Sequence, residues 1–164
     1  RDRDQTARLW DSQGRLLATF AGHTERVNVG VFDAAGARVL TAGDDGTARL
    51  WDLGGQPLAV LEGHATSVQA VAFDASGTRI VTGSAGGSAR VWEDSGQWLV
   101  TLEGHAGAII AVAFDKTGSH ILTASHDGTA RLWRSYPGVR AMLGAAEQAL
   151  QGLMSEADFA SLEA

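Results

Sequence analysis

Three histidines at equal spacing are the first residues in this sequence whose chemistry could define a site. His23, His64 and His105 each follow a glycine, and each lies 41 residues from the next. An imidazole can bind a metal ion or transfer a proton. A single metal ion, however, needs several ligands that converge on one point. Because each histidine belongs to a separate repeat, we expect the three not to converge, and we predict a structural role and no metal site.

Other motifs that could form a metal, phosphate or catalytic site are incomplete. Asp44 and Asp45 precede a glycine, as in a calcium loop, but no carboxylate stands at the twelfth position of that loop. The glycine-rich run 83–87 lies between two predicted strands and lacks the helix that a phosphate loop requires. The sequence contains no Gly-x-Ser-x-Gly elbow and no cysteine nucleophile. We therefore predict no catalytic residue and no cofactor.

Composition limits the classes of partner. The 164 residues carry a net charge of −6, and Lys116 is the single lysine. Nucleic-acid surfaces need clustered Lys and Arg, and a membrane span needs about 20 consecutive apolar residues, so we expect neither partner. The absence of cysteine fits a reducing compartment, and the expected location is the cytoplasm. No signal peptide is visible and the first residue is not Met, so we expect residue 1 not to be the natural start.

A five-residue sequence repeats along the chain. Thr-Ala-Arg-Leu-Trp occurs three times, and Ser-Ala-Arg-Val-Trp occurs once. The tryptophans that end these segments are Trp10, Trp51, Trp92 and Trp133, again 41 residues apart. A fixed period of this size indicates a repeat architecture. Function is then expected on a presented surface rather than in one pocket.

Each repeat contains the signals of four short strands. The unit that begins at His64 has β-rich runs at Val68–Phe73, Arg79–Thr82, Ser88–Trp92 and Trp98–Leu102, separated by Gly, Asp and Ser turns. The matching runs elsewhere are Thr6–Trp10, Leu16–Phe20, Val27–Phe32, Arg38–Thr41, Thr47–Trp51, Leu58–Leu61, Ile109–Phe114, His120–Thr123 and Thr129–Trp133. This pattern predicts antiparallel hairpins.

The first run of each unit is apolar on both faces, which indicates a strand buried on both sides of its sheet. Small residues such as Ala70, Ala72, Ala111 and Ala113 suit a crowded position near an axis. A ring or stack of four-stranded sheets provides both conditions.

The ordered motifs resemble the WD repeat of β-propellers. A Gly-His pair is followed by an Asp-Gly-Thr turn and then by a strand that ends in Trp-Asp, in phase over roughly residues 1–134. The resemblance implies an all-β propeller segment over 1–135, and a helical C-terminal tail is predicted separately over 136–164. It divides the segment into a partial blade at 1–21, two four-stranded blades at 22–62 and 63–103, and a three-stranded blade at 104–134.

The resemblance also implies a hydrogen-bonded structural tetrad in each blade. The residues at its positions are His23, Thr41, Asp45 and Trp51; His64, Thr82 and Trp92; and His105, Thr123, Asp127 and Trp133. In the second blade, Gly86 replaces the aspartate and Glu93 replaces the aspartate of Trp-Asp. We expect this blade to be the weakest, with His64 less firmly oriented.

Partner-binding residues are expected where WD proteins often place them, after each Gly-His pair. The candidates are Thr24, Glu25, Arg26, Thr66 and Ser67. Trp98 replaces Leu16 of the first unit, so it is either an outer anchor for a partner or improved packing.

Thirteen predicted strands do not form whole blades. WD propellers usually have about seven blades, so we interpret the chain as the C-terminal part of a prokaryotic-type WD-repeat protein. Open end blades would expose apolar faces, which implies a partner: the upstream half of the propeller or a second copy. Apolar spacing over 139–153 and a capping-box pattern at Ser155 predict two tail helices, which pack on the propeller, end the protein or dock another domain.

Three functions are consistent with these features. The first is a non-catalytic protein-interaction scaffold or sensor module in a larger signalling protein. The second is a self-assembling fragment that completes a ring from several copies. The third is a propeller with hydrolytic or lectin-like chemistry in its channel, which would need carboxylates or aromatic side chains facing the axis.

Overall fold

The computed structural model describes residues 4–135, which form strands and turns. The strands are β1 (Thr6–Trp10), β2 (Leu16–Ala21), β3 (Val27–Phe32), β4 (Arg38–Gly43), β5 (Ala48–Asp52), β6 (Pro57–Leu61), β7 (Val68–Phe73), β8 (Arg79–Ser84), β9 (Ala89–Glu93), β10 (Trp98–Leu102), β11 (Ile109–Phe114), β12 (His120–Ser125) and β13 (Ala130–Arg134). No helix in this part of the chain could cross a membrane. The predicted helical tail lies outside the described residues.

The strands pair with their sequence neighbours in four antiparallel sheets. These are a half-blade (β1–β2), the first blade (β3–β6), the second blade (β7–β10) and the third blade (β11–β13). Short turns connect the strands, as expected for hairpins. The predicted fold class, an all-β series of WD-type propeller blades, is therefore confirmed for the described residues.

The second strand of each blade is longer than the sequence predicted. β4, β8 and β12 extend two residues further, to Gly43, Ser84 and Ser125. The added residues stay in the ladder, because Val27 pairs with Gly43 across a register shift between Val27 and Val29. The turn therefore begins later than the Gly/Asp pattern indicated.

The core lies between the sheets rather than inside any one of them. We call the two faces of a sheet leading and trailing. The leading face is on the side of the preceding sheet in the chain, and the trailing face is on the side of the following sheet. Phe20 of the half-blade packs with Trp51 of the first blade. Leu50 on the trailing face of the first blade packs in one cluster with Ile80 and Trp92 of the second. The second and third blades share a further cluster that contains Val91 and Ile121.

Within residues 4–135, no sheet covers the outward face of either end sheet. On the trailing face of the third blade, Leu122 is 48% exposed and Leu132 is 68% exposed. On the leading face of the half-blade, Trp10 is 53% exposed. Ala111 and Ala113 are also exposed, so the expectation that they lie in a crowded position is wrong. The reason is that no sheet follows β13 within residues 4–135.

Candidate functional site

A buried chain of hydrogen bonds joins four side chains of the first blade. The indole N–H of Trp51 donates to Thr41 Oγ1 at 2.9 Å, and Thr41 Oγ1 lies 2.8 Å from His23 Nε2. His23 Nδ1 lies 2.9 Å from Asp45 Oδ2. Since an indole only donates and a carboxylate only accepts, the hydroxyl donates to Nε2 and Nδ1–H donates to Asp45.

The local fold positions these groups. Thr41 on β4 and Trp51 on β5 belong to neighbouring strands, while His23 follows β2 and Asp45 lies in the β4–β5 turn. Thr41, Trp51 and His23 are almost fully buried. Buried polar groups are costly unless they are paired. The chain of bonds satisfies them and connects a loop, a turn and two strands.

The Asp45 carboxylate accepts four hydrogen bonds. Oδ2 accepts from His23 and from the Thr24 N–H at 3.0 Å. Oδ1 accepts from the Thr47 N–H at 3.0 Å and from the Thr47 hydroxyl at 2.8 Å. Thr47 was not among the predicted site residues, although its place in the repeated Asp-Gly-Thr turn was a usable signal.

The third blade repeats this geometry. His105 Nδ1 lies 2.9 Å from Asp127 Oδ2, and His105 Nε2 lies 2.8 Å from Thr123 Oγ1. The Trp133 indole donates to the same hydroxyl at 2.9 Å. Thr129 and the Ala106 N–H supply the remaining donors to Asp127. The four predicted positions are thus brought together in two separate blades.

The second blade keeps only part of the arrangement. His64 Nε2 lies 2.7 Å from Thr82 Oγ1, and the Trp92 indole donates to that oxygen at 2.9 Å. Gly86 supplies no carboxylate, and its N–H donates to Thr66 Oγ1 at 2.8 Å. His64 Nδ1 has no hydrogen-bond partner among residues 4–135. His64 is also more exposed than the buried His23 and His105.

Burial and hydrogen bonding shift the pKa values of Asp45 and Asp127 in opposite directions. Burial raises the pKa of Asp45, but the Thr47 hydroxyl, the N–H groups of Thr47 and Thr24, and His23 together hold that pKa below its ordinary value. The Thr129 hydroxyl has the largest effect on Asp127, and with His105 it likewise lowers the pKa. Both carboxyl groups are therefore ionised at neutral pH.

The imidazole of the second blade has a different electrostatic environment. Burial, followed by the positive charge of Arg90, lowers the pKa of His64 to about 4. Both influences disfavour the protonated ring. His64 is therefore neutral at pH 7. The Thr82 hydroxyl can donate to His64 Nε2 or to the Arg90 carbonyl 3.4 Å away, and when it donates to Nε2 the ring proton lies on Nδ1 and is available to an acceptor.

The predicted partner-binding residues lie at the surface but several have partners within the chain. Thr24, Glu25, Arg26 and Thr66 are exposed, and Ser67 is half-buried. Arg26 Nε donates to Asn28 Oδ1 at 3.0 Å and lies 3.4 Å from Asp44. Ser67 accepts a hydrogen bond from Gln69 at 2.7 Å. A binding role for these five residues stays a prediction.

Trp98 projects from an outer strand. It is 53% exposed, and its indole donates to Thr101 Oγ1 at 3.2 Å. Of the two predicted alternatives, this exposure favours an outer anchor over improved packing.

Two arginines join neighbouring blades, and the sequence reading missed them. Arg38 pairs with Asp33 of its own blade at 2.9 Å and donates to the Gly77 carbonyl of the second blade at 2.6 Å. Arg79 pairs with Asp74 and donates to the Gly118 carbonyl of the third blade at 2.8 Å. The signal was the motif Asp-x-x-Gly-x-Arg, which occurs twice at the repeat spacing.

The third blade has histidine at the arginine position. His120 Nδ1 lies 3.0 Å from Asp115 Oδ2, so the contact within the blade is retained. Hydrogen bonds from His120, and secondarily from Thr117 and Ser119, lower the pKa of Asp115 to about 2. An imidazole is shorter than the side chain of arginine, so the third blade lacks the donor that would reach a following blade.

A cavity of about 420 Å³ lies where the first strands of the three blades end. Phe32, Phe73 and Phe114 line it, together with Asp74 and Asp115. Both carboxylates are engaged, Asp74 with Arg79 and Asp115 with His120. Within residues 4–135, no three His, Cys, Asp or Glu side chains are grouped to hold a metal ion.

Comparison with protein families matches these blades to a known repeat. The model described as "WD domain, G-beta repeat" matches residues 14–52, 55–93 and 96–134, which together exceed half of the chain. The chain belongs to the WD40 repeat family. WD40 repeats generally mediate protein–protein interaction, and the family generally serves as a non-catalytic scaffold.

The WD40 segments are offset from the sheets. The first segment, 14–52, contains β2 of the half-blade and then β3, β4 and β5 of the first blade. The other two segments have the same composition of strands. Each sequence repeat therefore contributes to two neighbouring sheets and connects them covalently.

Two curated WD40 relatives are similar over a short region. "Nuclear distribution protein PAC1-1" of Uncinocarpus reesii is 44% identical over 43 residues, which is 26% of this chain and 10% of that protein. "Nuclear distribution protein nudF 2" of Talaromyces marneffei shows the same identity and coverage. The match covers about a tenth of the length of these relatives.

Proposed function

We propose that this chain is one part of the WD40 propeller of a larger protein, where it acts as a non-catalytic scaffold or sensor. The more specific role in a prokaryotic-type, cytoplasmic signalling protein stays a prediction. In this proposal, the histidine clusters of the first and third blades are structural ties. Binding occurs on the open end faces and on the exposed loops rather than in a catalytic centre.

The observation that carries the proposal is a repeated apolar surface. On the trailing face of the first blade, Leu40 and Leu50 are paired across β4 and β5 and are 0% and 1% exposed. On the third blade, Leu122 and Leu132 are paired in the same register across β12 and β13. The second blade covers the trailing face of the first blade, whereas no blade within residues 4–135 covers the trailing face of the third.

The known contact defines the chemistry of the occupant. The first blade's trailing face is covered by a leading face that presents Val71, Ile80 and Trp92. A sheet with the same apolar side chains would bury Leu122 and Leu132. Burying each leucine side chain is worth about 1.5–3 kcal/mol. We infer that the occupant is a further WD40 blade, supplied by another part of the same protein.

The test is co-production of this chain with the other blades of its protein, followed by measurement of the complex by sedimentation. Leu132→Arg should weaken the complex at least tenfold, because a charge would be buried without a partner. Leu58→Arg is the matched control, since Leu58 is 52% exposed on the outer strand β6. Equal affinity of Leu132→Arg and the unsubstituted chain would refute the proposal.

A second candidate is self-assembly, and the opposite end supports it. Trp10 of the half-blade corresponds in the repeat to Trp51, which is 1% exposed, whereas Trp10 is 53% exposed. The half-blade therefore presents a leading-face tryptophan, and the third blade presents the matching trailing face. Head-to-tail contacts of this kind form rings when the rotation closes. Light scattering of the chain alone distinguishes this candidate, because it requires a mass that rises with concentration.

The third function, hydrolytic or lectin-like chemistry in the channel, has less support. The aromatic cavity is present, but Asp74 and Asp115 accept hydrogen bonds from Arg79 and His120 rather than facing a free space. A sugar or ester substrate would need carboxylates that are not already paired.

A further inference from the structure

The second blade contains a set of donors that hold a carboxylate in the other two blades. In the first blade, one carboxylate accepts from a histidine Nδ1–H, from the following backbone N–H, and from the N–H and hydroxyl of Thr47. The third blade holds Asp127 with the same four donors. The arrangement is therefore a defined carboxylate receptor that occurs twice in this chain.

The corresponding donors of the second blade are present. They are His64 Nδ1–H, the N–H groups of Ala65 and Ser88, and the Ser88 hydroxyl, and we call this set the carboxylate niche. Within residues 4–135, neither backbone N–H has an acceptor, and His64 Nδ1 has none. The Ser84 hydroxyl donates to the Ser88 carbonyl at 3.0 Å, so the Ser88 hydroxyl donates to Ser84 Oγ at 3.1 Å and must rotate away from it to bind a ligand.

Space for a ligand lies beside these donors. A cavity of about 490 Å³ is lined by Ala65, Gly86 and Ser88, together with Thr66 and Glu103. Gly86 is exposed and has no side chain to enter the cavity. Thr66 Oγ1 lies 2.8 Å from the Gly86 nitrogen, on the side from which Asp45 and Asp127 bring in their carboxylates in the other blades, so a ligand would enter beside this exposed side chain.

We propose that the niche of the second blade binds a carboxylate from outside the chain, in the position that the aspartate side chain occupies in the other blades. The source is either a small free carboxylate or an acidic group of a partner protein. This proposal goes beyond the scaffold function, because it names the chemical class of the ligand and the donors that would bind it.

The electrostatics agree with a single negative charge. Arg90 lies close enough to influence His64, and the three N–H donors favour an anion. Glu103 also lines the cavity, and its charge disfavours ligands with two negative charges. A monocarboxylate therefore fits better than phosphate or sulfate.

The experiment follows the imidazole nitrogens of the full chain by NMR while sodium acetate is added, with sodium chloride at equal ionic strength as the reference. We expect His64 to respond to acetate, and its pKa to rise by about one unit when the carboxylate binds. His23 and His105 are internal controls, because their Nδ1–H groups already donate to aspartates. A His64 response that is equal in acetate and chloride would overturn the proposal.

Two variants separate binding from a general effect of acetate. Gly86→Asp should remove the His64 response, because the new side chain would occupy the niche. Ser88→Ala should weaken acetate binding several-fold, because it removes one donor, while the fold is retained. If Gly86→Asp still responds to acetate as the unsubstituted chain does, the niche is not the site.

Peptides distinguish the two sources of the carboxylate. An N-acetylated Gly-Asp-Gly amide should bind more tightly than acetate if the ligand belongs to a partner protein, and the Gly-Asn-Gly amide is its neutral control. Binding of acetate without binding of the Asp peptide would assign the niche to free carboxylates. Equal binding of the Asp and Asn peptides would contradict carboxylate recognition.

Discussion

Leu132 occupies in the third blade the position that Leu50 occupies in the first, yet Leu132 is 68% exposed and Leu50 is 1% exposed. Each of the two residues is paired with a leucine of the preceding strand, Leu50 with Leu40 and Leu132 with Leu122. Two features account for this difference. No sheet covers the face of Leu132 within residues 4–135, and β13 is an edge strand, whereas Leu50 also pairs with Ala59 of β6.

Leu50→Ala and Leu132→Ala should lower the free energy of unfolding by very different amounts. We expect Leu50→Ala to lower the free energy of unfolding by about 2–5 kcal/mol, because it leaves a cavity between two blades. Leu132→Ala should change it by less than about 0.5 kcal/mol, as for an exposed site. Urea unfolding of the isolated chain measures both. Similar costs for the two variants would show that another sheet covers the third blade.

Gly86→Asp should stabilise the second blade. The added carboxylate can accept from His64, Ala65 and Ser88, which is worth about 1–2 kcal/mol and a rise in Tm of about 3–6 °C. A Cβ at Gly86 would lie 3.1 Å from Thr66 Oγ1, so this exposed side chain must shift slightly. The double variant Thr66→Ala and Gly86→Asp relieves the contact. An unchanged or lower Tm in both variants would count against the carboxylate assignment.

Stability should depend on pH between 6.5 and 4 because of His64. The unfolded histidine binds a proton at its ordinary pKa of about 6.5, whereas the folded ring does so only near a pKa of about 4. The unfolded state thus binds more protons in this window, and the free energy of unfolding falls as the pH falls. We expect a loss of about 1–2 kcal/mol, reduced by the partial exposure of His64.

The matched control for the pH dependence is Gly86→Asp. Its carboxylate should raise the pKa of His64 towards the ordinary value, so the loss of stability between pH 6.5 and 4 becomes smaller. Below about pH 4, both proteins should lose further stability, because the lowered pKa values of Asp45 and Asp127 favour the folded state only while these groups are ionised. Parallel urea midpoints at pH 7 and pH 5 for the two proteins would be inconsistent with this explanation.

Arg38→Gln should weaken the contact between the first and second blades. It removes the bond to the Gly77 carbonyl and leaves the buried Asp33 without its cation. We expect a loss of about 1–3 kcal/mol in urea unfolding. His120→Arg is the complementary variant in the third blade. It should leave the stability of the isolated chain within about 0.5 kcal/mol, and a large gain would mean that its side chain has found a further acceptor.

The periodicity of the sequence was sufficient to predict the strands of each sheet, but it did not predict the contacts between sheets. Strand positions such as Val68–Phe73 and Trp98–Leu102 follow from alternating runs and turn residues, and the structure places β7 and β10 at those bounds. The contact from Arg38 to Gly77 depends on how two sheets stack, which a single repeat does not encode. The exposure of Ala111 depends on whether another sheet covers the third blade, and the repeat pattern carries no information on that point.

The groups of the candidate sites also differ in whether the sequence could predict them. The resemblance to the WD repeat selected His23, Thr41, Asp45 and Trp51, because these residues stand at the positions of that family's tetrad. It did not select the N–H groups of Ala65 and Ser88, because backbone donors carry no signature of residue type. The carboxylate niche became visible only when three blades could be compared atom by atom.

The offset between WD40 repeat and sheet has a consequence for how such proteins change length. Since segment 55–93 begins with β6 of one sheet and ends with β9 of the next, gain or loss of one whole segment by unequal recombination leaves every remaining sheet with its full set of strands. The new junction also brings a trailing face against a leading face of the same kind. Genetic exchange at these glycine turns can therefore alter the number of blades without creating a mismatched joint.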